Sequence, residues 1–110
     1  MDIRSKALSA KLKSSKMIIP EWENVEIGIR EMTAMQRYEF GQTAQSSPAK
    51  ATARAIIACV FDPSTNQAAF DSADQDVLAS HSADIIERIA GEIMRLSGLT
   101  AASETALEKN

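Results

Sequence analysis

Residues 82–97 constrain the fold more than any other stretch. Ile85, Ile86, Ile89, Ile93 and Leu96 recur at helical spacing and form one apolar stripe. Ser82 stands where a cap belongs, and Asp84 falls in the first turn, where the helix dipole favours negative charge. Gly98 sits at the position that ends a helix in a left-handed residue, with Leu99 able to reach back to Met94. A long amphipathic helix is therefore expected here, and its stripe needs apolar company.

The preceding elements are shorter. Met17, Ile18 and Ile19 read as extended before Pro20, because proline pushes the residue before it out of the helical region. Glu21–Asn24 reads as a turn, and Val25, Ile27 and Ile29 alternate with Glu26, Gly28 and Arg30, the period of a half-buried strand. These two stretches predict a small hairpin, with Pro20 near a strand end or edge. Thr33 and Gln36 have the spacing of a capping box, which opens a helix over about 34–44 with Met35 and Tyr38 along one side. Residues 45–50 read as a loop. Ala51–Phe61 reads as a helical start passing into a buried strand. Asp62–Asn66 is a turn by composition, and Ala68–Phe70 returns as a second short strand. Asp71 or Ser72 caps a short helix with Asp74 and Asp76 in its first turn. Residues 3–15 read as a weak helix with Ile3, Ala7, Leu8 and Leu12 near one face, too short to be stable until it docks.

The expected fold class is therefore α+β and mainly helical: a small N-terminal β-hairpin, a second short hairpin and a long C-terminal amphipathic helix. At 110 residues the length suits one domain. We assign it to 1–99, with 1–15 a mobile basic segment and 100–110 a polar tail.

Charge is unevenly placed. The formal net charge is −3, which disfavours nucleic acid as a partner of the whole chain. Yet Arg4, Lys6, Lys11, Lys13 and Lys16 make the N-terminus basic, while Asp62, Asp71, Asp74, Asp76, Asp84, Glu87 and Glu92 make the later half acidic. The basic end lacks interleaved aromatics. It reads as a solvated end or a contact for an acidic protein, with a small DNA-binding or regulatory protein as the alternative function. No apolar run approaches the ~20 residues that span a bilayer, and the N-terminus has no apolar core of a secretory signal, so no membrane partner is expected and the chain reads as cytosolic.

Chemistry is sparse. The lone Cys59 cannot form an internal disulfide and, within an apolar run, reads as a small buried hydrophobe. Asp62, Ser64 and Asn66 suggest a calcium loop, but Gln67 stands where its glycine belongs and Ala73 where its glutamate belongs. His81 lies between serines at a helix start without the convergent ligands of a metal site and reads as a solvated or capping residue. No nucleophile elbow or glycine-rich phosphate loop is present. No enzyme, catalytic residue, metal or cofactor is expected. Trp22 reads as a lid over the hairpin and core, or as an anchor on a partner. The methionines, Met17, Met32, Met35 and Met94, read as core filler or as an adaptable binding surface.

The order of these pieces resembles the tail assembly chaperones of long-tailed bacteriophages. The resemblance runs through the basic start, Ile19-Pro20-Glu21-Trp22, Val25 to Arg30-Glu31-Met32-Thr33, Arg54 to Val60-Phe61-Asp62, Phe70 before acidic residues, Leu96-Ser97-Gly98-Leu99 and Glu108-Lys109-Asn110. It departs at Glu23, where a glycine is common, and near Asn66-Gln67, which lacks the usual glycine. The resemblance implies a non-catalytic factor that binds the tape measure protein, keeps it soluble and helps recruit tail tube subunits. It implies action in the host bacterial cytoplasm and absence from the mature virion, and leaves self-association open. Partner contacts are expected at Lys11 and Lys13, at Trp22, and at the helix surface near Ile89 and Ile93. Relatives often make a longer product by ribosomal slippage, and Glu108-Lys109-Asn110 permits the slippery spelling GAA AAA AAC.

Overall fold

A computed structural model describes residues 2–99. The tail and the slip site expected at Glu108-Lys109-Asn110 lie outside the described residues.

The elements run α1 (Ile3–Ser9), β1 (Ser14–Ile19), a 3-10 turn (Pro20–Trp22), β2 (Val25–Arg30), α2 (Ala34–Ser46), α3 (Pro48–Cys59), β3 (Val60–Asp62), β4 (Gln67–Ala68), a second 3-10 turn (Ser72–Asp74), α4 (Gln75–Ala79) and α5 (Ala83–Leu96). The strands form one antiparallel sheet in the order β1-β2-β3-β4. The two expected hairpins are thus joined: Gly28 and Ile29 of β2 pair with Phe61 and Val60 of β3. The class is α+β, as expected.

Alternation along the strands sorts the two faces of the sheet. Ile19, Ile27, Ile29 and Val60 face the helices and join Ile56 and Cys59 of α3, Leu78 of α4 and the stripe of α5 in one core cluster. Gly28, Arg30 and Phe61 occupy the opposite face, and Phe61 is buried there without belonging to that cluster. α5 ends as its sequence requires. Gly98 takes a φ of 79°, its N–H donates to the Arg95 carbonyl at 3.2 Å, and the Leu99 N–H donates to the Met94 carbonyl at 2.7 Å. Ser82 precedes the helix but makes no side-chain capping bond.

Three boundaries differ from expectation. α1 stops at Ser9, because residues from Ser14 onward pair with β2 and Lys13 is held to Glu31 through both its N–H (2.5 Å to Oε2) and its carbonyl (2.9 Å from the Glu31 N–H). Strand pairing outcompetes a helix that had no tertiary support. The loop expected at 45–50 shrinks to Ser47, whose side chain caps α3 by accepting from the Lys50 N–H at 3.3 Å, with Pro48 preset for the first turn. The last strand is Gln67–Ala68 rather than 68–70. The capping box of α2 is present as expected, with Thr33 Oγ1 accepting from Gln36 N–H at 3.1 Å and Gln36 Oε1 from Thr33 N–H at 2.9 Å.

Candidate partner-binding surface

The turn between β1 and β2 is shaped by backbone that side chains rarely adopt. Pro20 opens a 3-10 turn, then Glu23 (φ 56°) and Asn24 (φ 59°) both enter the left-handed region and swing the chain into β2. Glu23, where a glycine is common in the resembled family, is therefore at a position that favours glycine. Asn66 repeats this in the β3–β4 turn at φ 62°. Asp62 Oδ1 is engaged in that turn, accepting from Ser64 N–H at 2.8 Å and Ser64 Oγ–H at 2.7 Å.

The turn places Trp22 half-buried against the body. Its ring meets Phe70 edge-on at 6.4 Å and lies tilted over His81 at 5.5 Å. Its Nε1–H donates to His81 Nε2 at 3.0 Å. His81 is exposed, as the solvated reading expects, and in addition accepts from Trp22. Glu21 pairs with Arg88 of α5, whose guanidinium also donates to Asp84 at 2.7 Å. The hydrogen bonds that Arg88 donates to Glu21 hold the Glu21 carboxyl below its usual range. The turn is thus tied to α5, and Trp22, Phe70, Val77, Leu78 and His81 line an open cavity of about 300 Å3. Trp22 packs against the core, as the lid reading expects, and is only half-buried there.

Lys11 and Lys13 are exposed at the opposite end of the hairpin. The length of β1, about 17 Å at ~3.4 Å per residue, separates them from the Trp22 turn, so the structure does not bring these residues into one patch. Ile89 and Ile93 are 0% exposed and sit in the core. They present no surface in this fold. Their stripe is answered by the sheet and α3, because a helical period reports that a face is covered and not by what.

The fold also exposes apolar side chains away from the Trp22 turn. α2 has no buried residue, and its Met35 and Tyr38 are 71% and 67% exposed. Of the four methionines named above, only Met35 is well exposed: Met32 is buried, and Met17 and Met94 pack against the core. The signal was the absence of further apolar residues in register with Met35 and Tyr38, which left α2 without a stripe. Val77 on α4 is 70% exposed beside the Trp22 cavity. Ile3 and Leu8 of α1 stand equally free.

Cys59 is buried, and desolvation pushes its thiol up to about 11, so it is not a nucleophile at neutral pH. Among the described residues no three His, Cys, Asp or Glu side chains gather to hold a metal, and no helix is long and apolar enough to cross a membrane.

No family model and no curated protein matches the chain. Among solved structures, the tail assembly chaperone of bacteriophage HK97 superposes with a TM-score of 0.67 at 16% identity, covering 84% of this chain and 95% of that one. At that identity the likeness is one of architecture: the chain shares the fold of a phage tail assembly chaperone.

Proposed function

We propose that the chain is a non-catalytic phage tail assembly chaperone, which binds and solubilises the tape measure protein and helps recruit tail tube subunits. The observation that carries this reading is the likeness to the HK97 tail assembly chaperone over 84% of this chain and 95% of that one. It agrees with the sequence resemblance, which rests on short motifs and their order rather than on overall identity.

The surface supports the reading. A long helical tape measure protein exposes apolar stripes before the tube encloses it, and those stripes need cover that can later be removed. The chain offers separate small apolar elements, on α1, on α2 and at the Trp22 turn, rather than one large face. Contacts of this size are individually weak, which suits a factor active in the host cytoplasm and absent from the finished particle.

The test is co-expression of the full chain with the tape measure protein of the same phage. The expected result is a rise in soluble tape measure protein and its co-purification with the chain. An insoluble tape measure protein with none retained on the chain overturns the proposal. Replacing Lys11 and Lys13 with glutamate tests the basic end separately: unchanged solubilisation removes those lysines from the binding surface.

A further inference from the structure

The cavity beside Trp22 has a chemistry of its own. Trp22, Phe70, Val77 and Leu78 supply apolar walls, and the nitrogen that His81 turns toward Trp22 is already occupied by the indole N–H. At about 300 Å3 it lies at the lower limit of ligand pockets and is open, a size suited to one large side chain presented from a backbone outside.

Its rim is acidic. Glu21 and Glu23 flank Trp22, Asp71 follows Phe70 and Asp76 precedes Val77, and all four are exposed. Glu21 is paired with Arg88, which is shared with Asp84, so that group keeps a net negative charge. An apolar cavity beside such residues selects by charge: an acidic segment is repelled, whereas a cationic one gains both attraction and burial.

We infer that this cavity docks an apolar side chain carried on a cationic stretch of a partner polypeptide. The inference rests on the proposed function in one respect, that the occupant is a polypeptide.

Trp22 is the only tryptophan, so its emission reports the cavity directly. The full chain is titrated with a short synthetic peptide of lysines around one leucine, with its glutamate counterpart, and with the lysine peptide carrying serine for leucine. The expected result is a saturable change with the lysine–leucine peptide that weakens with added salt, falls about tenfold or more with serine, and is absent with glutamate. Val77→Lys, at an exposed position, abolishes the change while leaving the unfolding midpoint in place. Equal binding of the glutamate peptide, no change with any peptide, or full binding by V77K overturns the inference. A shift in emission with protein concentration alone, together with faster sedimentation, assigns the cavity to a second copy and overturns it too. Failed peptide binding beside intact tape measure co-purification counts against the cavity alone; the reverse pattern counts against the proposed function alone.

Discussion

Gly28 is the residue whose replacement tests the sheet most directly. It pairs with Phe61 across the β2–β3 ladder, and a Cβ added there would stand 2.4 Å from two ring carbons of Phe61 and 2.7 Å from a third. Ordinary carbon contacts lie at about 3.5–4.0 Å, so Gly28→Ala requires the ring to retreat by about 1 Å. The ring is not free to do so at no cost. The Arg30 guanidinium lies 4.1 Å above its centre, and that guanidinium is anchored to Asn66 by bonds of 2.6 Å to Oδ1 and 3.3 Å to the carbonyl. Displacing the ring loosens this stack and exposes the strand beneath it. Overpacking of this kind costs about 1–3 kcal/mol, and the lower chain entropy of alanine returns about 0.4–1 kcal/mol. We expect a net loss of about 1–2 kcal/mol, read from urea denaturation followed by Trp22 emission and far-ultraviolet circular dichroism. Phe61→Val deletes all three clashing atoms, so in that background Gly28→Ala costs nothing or stabilises slightly. The coupling in the double-mutant cycle is then about 1–2 kcal/mol. An equal cost of Gly28→Ala in both backgrounds refutes the reasoning, as does a single variant indistinguishable from the parent.

Three further outcomes follow from local geometry. The Glu92 carboxylate accepts from Arg95 Nε and Nη2 at 2.6 Å each and from Ser15 Oγ–H at 2.6 Å; chiefly through Arg95 its pKa is lowered to about 2. A carboxyl with a depressed folded value stabilises the fold above its unfolded value near 4.5 and loses that contribution as pH falls toward 2. Because Arg95 is well exposed we expect only about 1–2 kcal/mol, seen as a flatter dependence of the urea midpoint between pH 6 and about pH 3 in Glu92→Gln. Glu23→Gly relieves a left-handed residue, worth about 1–2 kcal/mol, against about 0.5–1 kcal/mol of glycine entropy; the expected net is a melting temperature higher by about 2–4 °C, and a lower one contradicts it. Ser97→Ala removes the acceptor for the Met32 N–H at 2.9 Å and is expected to lower stability by about 1–2 kcal/mol in the same urea assay.

What could be read from the sequence was local. The stripe, first-turn aspartate and glycine stop of α5 and the Thr33–Gln36 box each lie within one element and appear where expected; β2 forms where its alternation predicts, but Val25 at its start is exposed and Gly28 is buried. The misplaced boundaries depend on distant partners. Residues 10–15 carry a helical pattern only through Leu12, and the bonds between Lys13 and Glu31 that start the strand cannot be seen in either segment alone. The Ser47–Pro48 junction was legible in principle as a cap and first-turn proline, but polar composition masked it. The same limit governs the candidate site. Ile89 and Ile93 show a buried face without saying which surface buries it, and the cavity at Trp22 is assembled from a hairpin turn, the end of the sheet and α4. Trp22, the turn that bears it and the acidic neighbours were all visible; their convergence was not.

That division also bears on mechanism. The sheet, α3, α4 and α5 enclose the core, whereas α1 and α2 contribute no buried residue to it. α1 is a single short helix whose Ile3 and Leu8 touch none of that core, and helices of this length are marginal in water without a packed face. α2 keeps its structure through its box and its contact with α3, yet directs Met35 and Tyr38 to solvent. A fold selected only for its own stability gains nothing from these exposures. A binding module gains a rigid body and several small, separated apolar contacts, each weak enough to break in turn. Such an arrangement agrees with the proposed temporary covering of a long polypeptide, because releasing one contact does not require releasing all of them at once.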